Sequence, residues 1–189
     1  MSSGATVTIS VSELTALKAK TTGAITGTVS DGDMATLAGI TGTNNAVAIA
    51  ITDSTISATA LDALDAKTTG LVNVAATSTL TGTLAEVTST LARTATVSGI
   101  GAIKVSVSDS ITVAESVALD ALTSGAITAT INTTAISTLA TLTANTGSTA
   151  NAYTMTVGGT ELLAADLNTL AGLTSVANGI TANNATKVT

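Results

Sequence analysis

The side chains that could do chemistry in this chain are carboxylates and hydroxyls, since its 189 residues include no His and no Cys. The acidic positions with the most suggestive spacing are Asp31-Gly32-Asp33, with Asp53-Ser54 and Asp109-Ser110 in equivalent turns. Alternating carboxylates on a tight turn offer hard oxygen ligands to calcium, so Asp31, Asp33, Asp53 and Asp109 are the candidate metal ligands. A plainer reading of the same residues is the stronger one. Asp before Ser or Gly at a strand exit is ordinary turn and N-cap chemistry, in which the carboxylate accepts a backbone N–H. Thr112 and Glu115 have the spacing of a capping box at a helix start. General base, nucleophile and metal roles fall to carboxylates and lysines scattered singly, so the chain reads as non-enzymatic, with no cofactor.

The hydroxyls are more numerous, with roughly 40 Thr in the chain. They recur as pairs two residues apart: Thr26/Thr28, Thr81/Thr83 and Thr128/Thr130. On a strand both members of such a pair point to one face, and ranks of them would form a flat lattice of hydroxyl and methyl groups. That lattice is the form an ice- or glycan-binding surface takes, while exposed strand positions favour Thr without any ligand. Asn132-Thr133-Thr134 and Asn184-Ala185-Thr186 match the glycosylation pattern, as chance predicts in a chain so rich in Thr.

These residues must be positioned by an unusual core. Hydrophobic residues make up 45% of the chain and aromatics 1%, so Val, Ile, Leu and Ala do nearly all the packing. Such side chains fill a narrow interior between strands better than the wide centre of a globular enzyme. Lys18, Lys20, Lys67, Arg93, Lys104 and Lys187 are the only cations, and they do not cluster, which argues against nucleic acid as a partner. No run approaches membrane-spanning length, and MSSGATVTISVSE has neither the basic n-region nor the apolar stretch of a signal peptide.

One phrase recurs at a wandering period: ELTALKAKTTGAITGTV (Glu13 to Val29), ALDALDAKTTGLVNV (Ala60 to Val74) and ALDALTSGAITATI (Ala118 to Ile131). Repetition of this kind belongs to solenoids and arrays. The pairs Leu14/Leu17, Leu61/Leu64, Leu119/Leu122 and Leu167/Leu170 predict short amphipathic helices, and Met34/Leu37, Val87/Leu91 and Ile136/Leu139 a second series between them. Glycine after several of them, as in Thr68-Thr69-Gly70 and Thr123-Ser124-Gly125, is expected to end the helix.

Between the helices the period is two. AITGTV, TLTGTL and AITATI point Ile25/Val29, Leu80/Leu84 and Ile127/Ile131 inward around Gly27, Gly82 and Ala129. AVAIAI, AIKVSV and AYTMTV point Val47/Ile49/Ile51, Ile103/Val105/Val107 and Tyr153/Met155/Val157 inward. Strands alternating with helices imply parallel pairing. The expectation is therefore a repeat solenoid of parallel β-strands alternating with short α-helices, a single repeat domain over 1–189 in approximate units 5–53, 54–109, 110–159 and a partial 160–189. The two strand families fit one sheet or two faces, and two faces are preferred because their outward residues differ. The opening ATVTISVS reads as an end strand, with an open edge at Val7 to Val11.

The segments Ala60 to Val87, ALDALDAKTTGLVNVAATSTLTGTLAEV, and Val97 to Ser110, VSGIGAIKVSVSDS, resemble the repeats of very large repetitive cyanobacterial proteins described as haemolysin-type or cell-surface proteins, and of related cyanophage structural proteins. The resemblance spans most of the chain at low-complexity stringency and is clearest from Ile51 to Asp109. It implies an extracellular, cell-surface or virion-surface structural role with no catalytic residues to carry across. The glycine-rich calcium nonapeptide of haemolysin-type proteins is absent, since Gly158-Gly159 is followed by Thr160-Glu161. The resulting expectation is a stiff spacer or scaffold segment that self-associates through its ends or edges, with no membrane insertion. The alternative is an ice- or glycan-binding module using the Thr pairs.

Overall fold

The computed structural model describes residues 7–75, 78–133, 135–142, 150–158, 161–171, 180–183 and 187–188. Short strands and helices alternate along it. The order is β1 (Thr8–Ile9), α1 (Val11–Lys18), β2 (Ile25–Val29), α2 (Met34–Leu37), β3 (Asn45–Ile51), β4 (Thr55–Ser57), α3 (Ala58–Asp65), β5 (Val72–Val74), β6 (Thr79–Gly82) and α4 (Leu84–Leu91). It continues with β7 (Val97–Ser98), β8 (Lys104–Ile111), α5 (Val113–Asp120), β9 (Ile127–Ile131), α6 (Ile136–Leu139), β10 (Ala152–Gly158), β11 (Glu161–Leu162), α7 (Ala164–Ala171), β12 (Ile180–Asn183) and β13 (Lys187–Val188).

Every pairing among the described strands is parallel. One sheet runs β1-β2-β3-β5-β7, a second runs β12-β10-β9-β8-β6-β4, and β11 pairs with β13. The offset between partners stays within a narrow range: Thr8 lies on Thr28, Thr55 on Thr79, Val72 on Val97 and Glu161 on Lys187. The fold is thus α/β with parallel sheets, as the alternation of periods predicts.

The alternation in each strand sets what is buried. Val47, Ile49 and Ile51, then Ile103, Val105 and Val107, then Tyr153, Met155 and Val157 all point into one continuous apolar core. Ile25, Val29, Leu80, Ile127, Ala129 and Ile131 join them. The two strand families do not occupy separate faces, however. β2 of the first family pairs with β3 of the second, and β9 lies between β8 and β10. Their different outward residues therefore alternate within a sheet. Leu84, expected inward on a strand, is instead the first residue of α4, because Thr83 before it caps that helix.

Helix starts are written in the sequence more fully than the single pair Thr112 and Glu115. Ser10/Glu13, Thr83/Glu86 and Thr112/Glu115 all form complete capping boxes, and Ser57 and Asp33 cap α3 and α2. Because Ser10 is an N-cap, the opening strand stops at Ile9 and does not extend to Val11. The helices have one or two turns and would not persist alone, so burial holds them. Leu14, Leu61, Leu64, Val87, Leu91, Leu119, Leu139 and Leu170 supply it. Leu17 and Leu122 do not: Leu17 is 45% exposed, since a two-turn helix lying on a thin core turns only a narrow stripe inward, and Leu122, 39% exposed, lies beyond the end of α5.

Candidate functional site

The candidate calcium ligands accept hydrogen bonds from helix starts, and three of the four do so across the fold. Asp31 Oδ2 accepts the Val11 N–H at 2.7 Å, Asp53 Oδ2 the Met34 N–H at 2.7 Å, and Asp109 Oδ2 the Leu84 N–H at 3.0 Å. Each caps a helix that begins 19 to 25 residues upstream. Only Asp33 is local, accepting the Thr36 N–H at 2.8 Å. The turn and N-cap reading of the sequence assumed nearby partners. The signal that would have found the distant ones is the common offset, 20 residues from Val11 to Asp31 and 25 from Leu84 to Asp109. Among the described residues no group of three or more His, Cys, Asp or Glu is placed to hold a metal ion.

Capping also sets the electrostatics of these helix ends. The Ser10 hydroxyl and N–H hold the Glu13 carboxyl below its ordinary value, the Thr112 N–H and hydroxyl do the same for Glu115, and the Thr36 N–H does so for Asp33. The carboxylates neutralise unpaired N–H groups and the positive end of the helix dipole. Asp31→Ala and Asp53→Ala should each cost about 1 kcal/mol and lower the melting temperature by about 2–4 °C, with the Asn variants in between. Thermal melts with and without calcium decide between cap and metal ligand: a melting temperature raised by calcium and lost in these variants would overturn the cap reading.

The Thr pairs are divided between the two sheets. Thr26 lies beside Ala46, and Thr28 between Thr8 and Ala48. Thr81 lies between Ser57 and Ser106, and Thr128 between Ser106 and Ala152. Thr130 sits between Ser110 and Thr154, past a register shift in β8. Thr83 leaves the lattice altogether, its hydroxyl accepting the Glu86 N–H. The longest hydroxyl row is therefore Ser57, Thr81, Ser106, Thr128, flanked by shorter rows that alanine interrupts.

Buried polar groups tie consecutive units together in ways the sequence reading did not anticipate. Thr68 Oγ1 donates to Val47 O at 2.6 Å and accepts the Gly70 N–H at 3.0 Å. Thr123 Oγ1 repeats this, donating to Ile103 O at 2.7 Å and accepting the Gly125 N–H at 3.0 Å. Gly70 and Gly125 do not end the helices, which close on Ala66 and Ala121 in the right-handed region. A β-carbon on them would stand 2.2 Å from Val47 O and 2.1 Å from Ile103 O. The recurring Thr-x-Gly is thus a contact between units.

Two acidic helix ends carry further links. Asp65 at the end of α3 accepts from Arg93 Nη1 at 3.1 Å and from Thr96 Oγ1 at 3.0 Å, while Asp62 lies 2.8 Å from Arg93 Nε. Asp62 above all raises the Arg93 pKa. At the equivalent end of α5, Asp120 accepts from Asn151 Nδ2 at 3.0 Å, and Asn151 Oδ1 accepts the Ile127 N–H at 2.8 Å. Tyr153, 1% exposed, hydrogen-bonds to Ser116 and Asn151 beside them. Burial pushes its pKa up to about 12, with the Asp120 charge adding to the effect.

An apolar cleft of about 270 Å³ opens between α2 and α3, lined by Met34, Leu37, Ala38, Ala60, Ala63 and Leu64, with Lys67 at its end. No described helix is long and apolar enough to cross a membrane. No family model matches the chain, and neither a curated protein nor a solved structure does.

Proposed function

We propose that the chain is a β/α solenoid, a non-enzymatic structural repeat segment that serves as a stiff spacer or scaffold in an extracellular, cell-surface or virion-surface protein of the repetitive cyanobacterial and cyanophage kind. The observation that carries this reading is the monotonic strand order. In a doubly wound nucleotide-binding domain the order reverses at a switch point where the ligand sits. Here β1, β2, β3, β5 and β7 succeed one another in chain order, each lying 20 to 25 residues after the last, and β4, β6, β8, β9, β10 and β12 do the same. Strength in such an array is a sum of unit and neighbour terms, and the cross-unit caps and Thr hydroxyls are neighbour terms. Self-association through an end or edge strand fits the same reading, because the low charge opposes it only weakly. The ice- or glycan-binding alternative has less support, since its rows are short and interrupted.

Removing one whole unit tests the solenoid. Deletion of residues 79–103 brings Lys104 into the place of its register partner Thr79. A solenoid keeps parallel-sheet circular dichroism and one cooperative, lower melt; loss of folded structure would overturn the reading. Sedimentation of the parent over a range of concentrations tests association, and Thr8→Lys on the outward side of β1 should weaken it. Ser10 is left intact there because it caps α1. A monomer at every concentration would remove self-assembly from the proposal.

A further inference from the structure

The cleft between α2 and α3 exists because neighbouring helices are unequal. α2 has 4 residues where α3 has 8, and α3 packs on α4. The α3 residues facing the gap are Ala60 and Ala63, too small to fill it. Its floor is Leu37 and Leu64, both almost completely buried. The result is a trough of about 270 Å³ with apolar walls and one charged group.

That group is Lys67. Its Nζ donates to Ile40 O at 2.6 Å and Ala38 O at 3.4 Å, which are carbonyls just beyond α2. The ammonium has three protons, and among the described residues these two carbonyls are its acceptors. Ion pairs among the described residues involve Arg93 alone, so no described carboxylate neutralises Lys67. A half-buried cation at the end of an apolar trough recognises a molecule with a short aliphatic chain and an anionic head.

We infer that this cleft binds a short-chain aliphatic carboxylate, with the chain along Leu37 and Leu64 and the carboxylate on Lys67 Nζ. The cleft runs beside Met34 to Ala38, about 6 Å of helix, which suits a chain of about six carbons. The head forms a charge-assisted hydrogen bond, stronger than a neutral one. A neutral apolar side chain from a second copy fits less well, because it would cover the Lys67 charge and bring no anion to it. The inference is independent of the spacer role and goes beyond it.

Hexanoate is the probe, with hexanol as the neutral control, each titrated to about 20 mM while the backbone amide shifts of residues 34–40 and 58–67 are followed. Hexanoate should bind with a Kd on the order of 1 mM, and hexanol about tenfold more weakly. Lys67→Met should remove that preference, and Ala63→Leu, which fills the trough, should remove both responses; unchanged circular dichroism shows that each variant is folded. Equal binding of hexanoate and hexanol by the parent, no response to hexanoate, or hexanoate binding that survives Ala63→Leu would each overturn the assignment. So would shifts in these amides that follow protein concentration, which would make the occupant a second copy.

Discussion

Gly70→Ala and Gly125→Ala should each destabilise the protein by about 3 kcal/mol or more, a fall in melting temperature of about 6–12 °C, although both are ordinarily mild substitutions. The cause is distance. An added β-carbon at Gly70 meets Val47 O at 2.2 Å and its carbonyl carbon at 2.4 Å, and one at Gly125 meets Ile103 O at 2.1 Å and its carbon at 2.4 Å. These obstacles are backbone atoms, of β3 at Val47 and of the residue that leads into β8 at Ile103, which cannot swing aside as a side chain can. The same carbonyls accept the Thr68 and Thr123 hydroxyls, so moving the units apart also breaks a buried hydrogen bond. Gly101→Ala is the control: its β-carbon would meet nothing within 4 Å, and the substitution should be neutral or stabilising by about 0.5 kcal/mol. Equal melting of all three variants would mean that the units are not in contact at Val47 and Ile103.

The contrast between these glycines explains which features were legible in the sequence. Residues whose role is set by their neighbours in the chain could be read directly. The alternation in AVAIAI and AYTMTV gave the buried faces, and Thr112 and Glu115 marked a helix start. Residues whose partners lie 20 or more residues away carry no such local mark. Gly70 looked like a helix end because glycine usually is one after a helix, and nothing in Thr68-Thr69-Gly70 reveals a carbonyl 2.2 Å from it. Asp31 and Asp109 looked like turn residues for the same reason. The alternation of Val7, Ile9 and Val11 predicts a strand through Ser10, yet its Glu13 partner draws Val11 into a helix. The cleft beside Lys67 was invisible, since it follows from α2 stopping after one turn and from small residues on α3.

Stability should also fall steeply between about pH 10 and pH 12, and one residue should account for it. Tyr153 is the single aromatic of the chain, so the ultraviolet change as tyrosine ionises reports that side chain alone. Its ordinary pKa is 10.0 and in the folded protein it is pushed up to about 12. Burial is the main cause, and the Asp120 carboxylate nearby makes a phenolate costlier still. The folded value lies above the unfolded one, so the stabilisation is fully present below pH 10 and is lost as pH rises through the folded pKa. Two units correspond to about 3 kcal/mol at the upper end. Tyr153→Phe should cost about 1–2 kcal/mol at neutral pH, because Ser116 and Asn151 lose their hydroxyl partner, but its stability should stay flatter across the alkaline window. The comparison is with Tyr153→Phe and not with neutral pH alone, so that any alkaline effect common to both proteins cancels. Chemical denaturation from pH 8 to pH 12 of both proteins measures the difference. If tyrosine ionises near pH 10 in the folded chain, or if the two stability curves run parallel, then Tyr153 is open to solvent and the core at β10 is not closed around it.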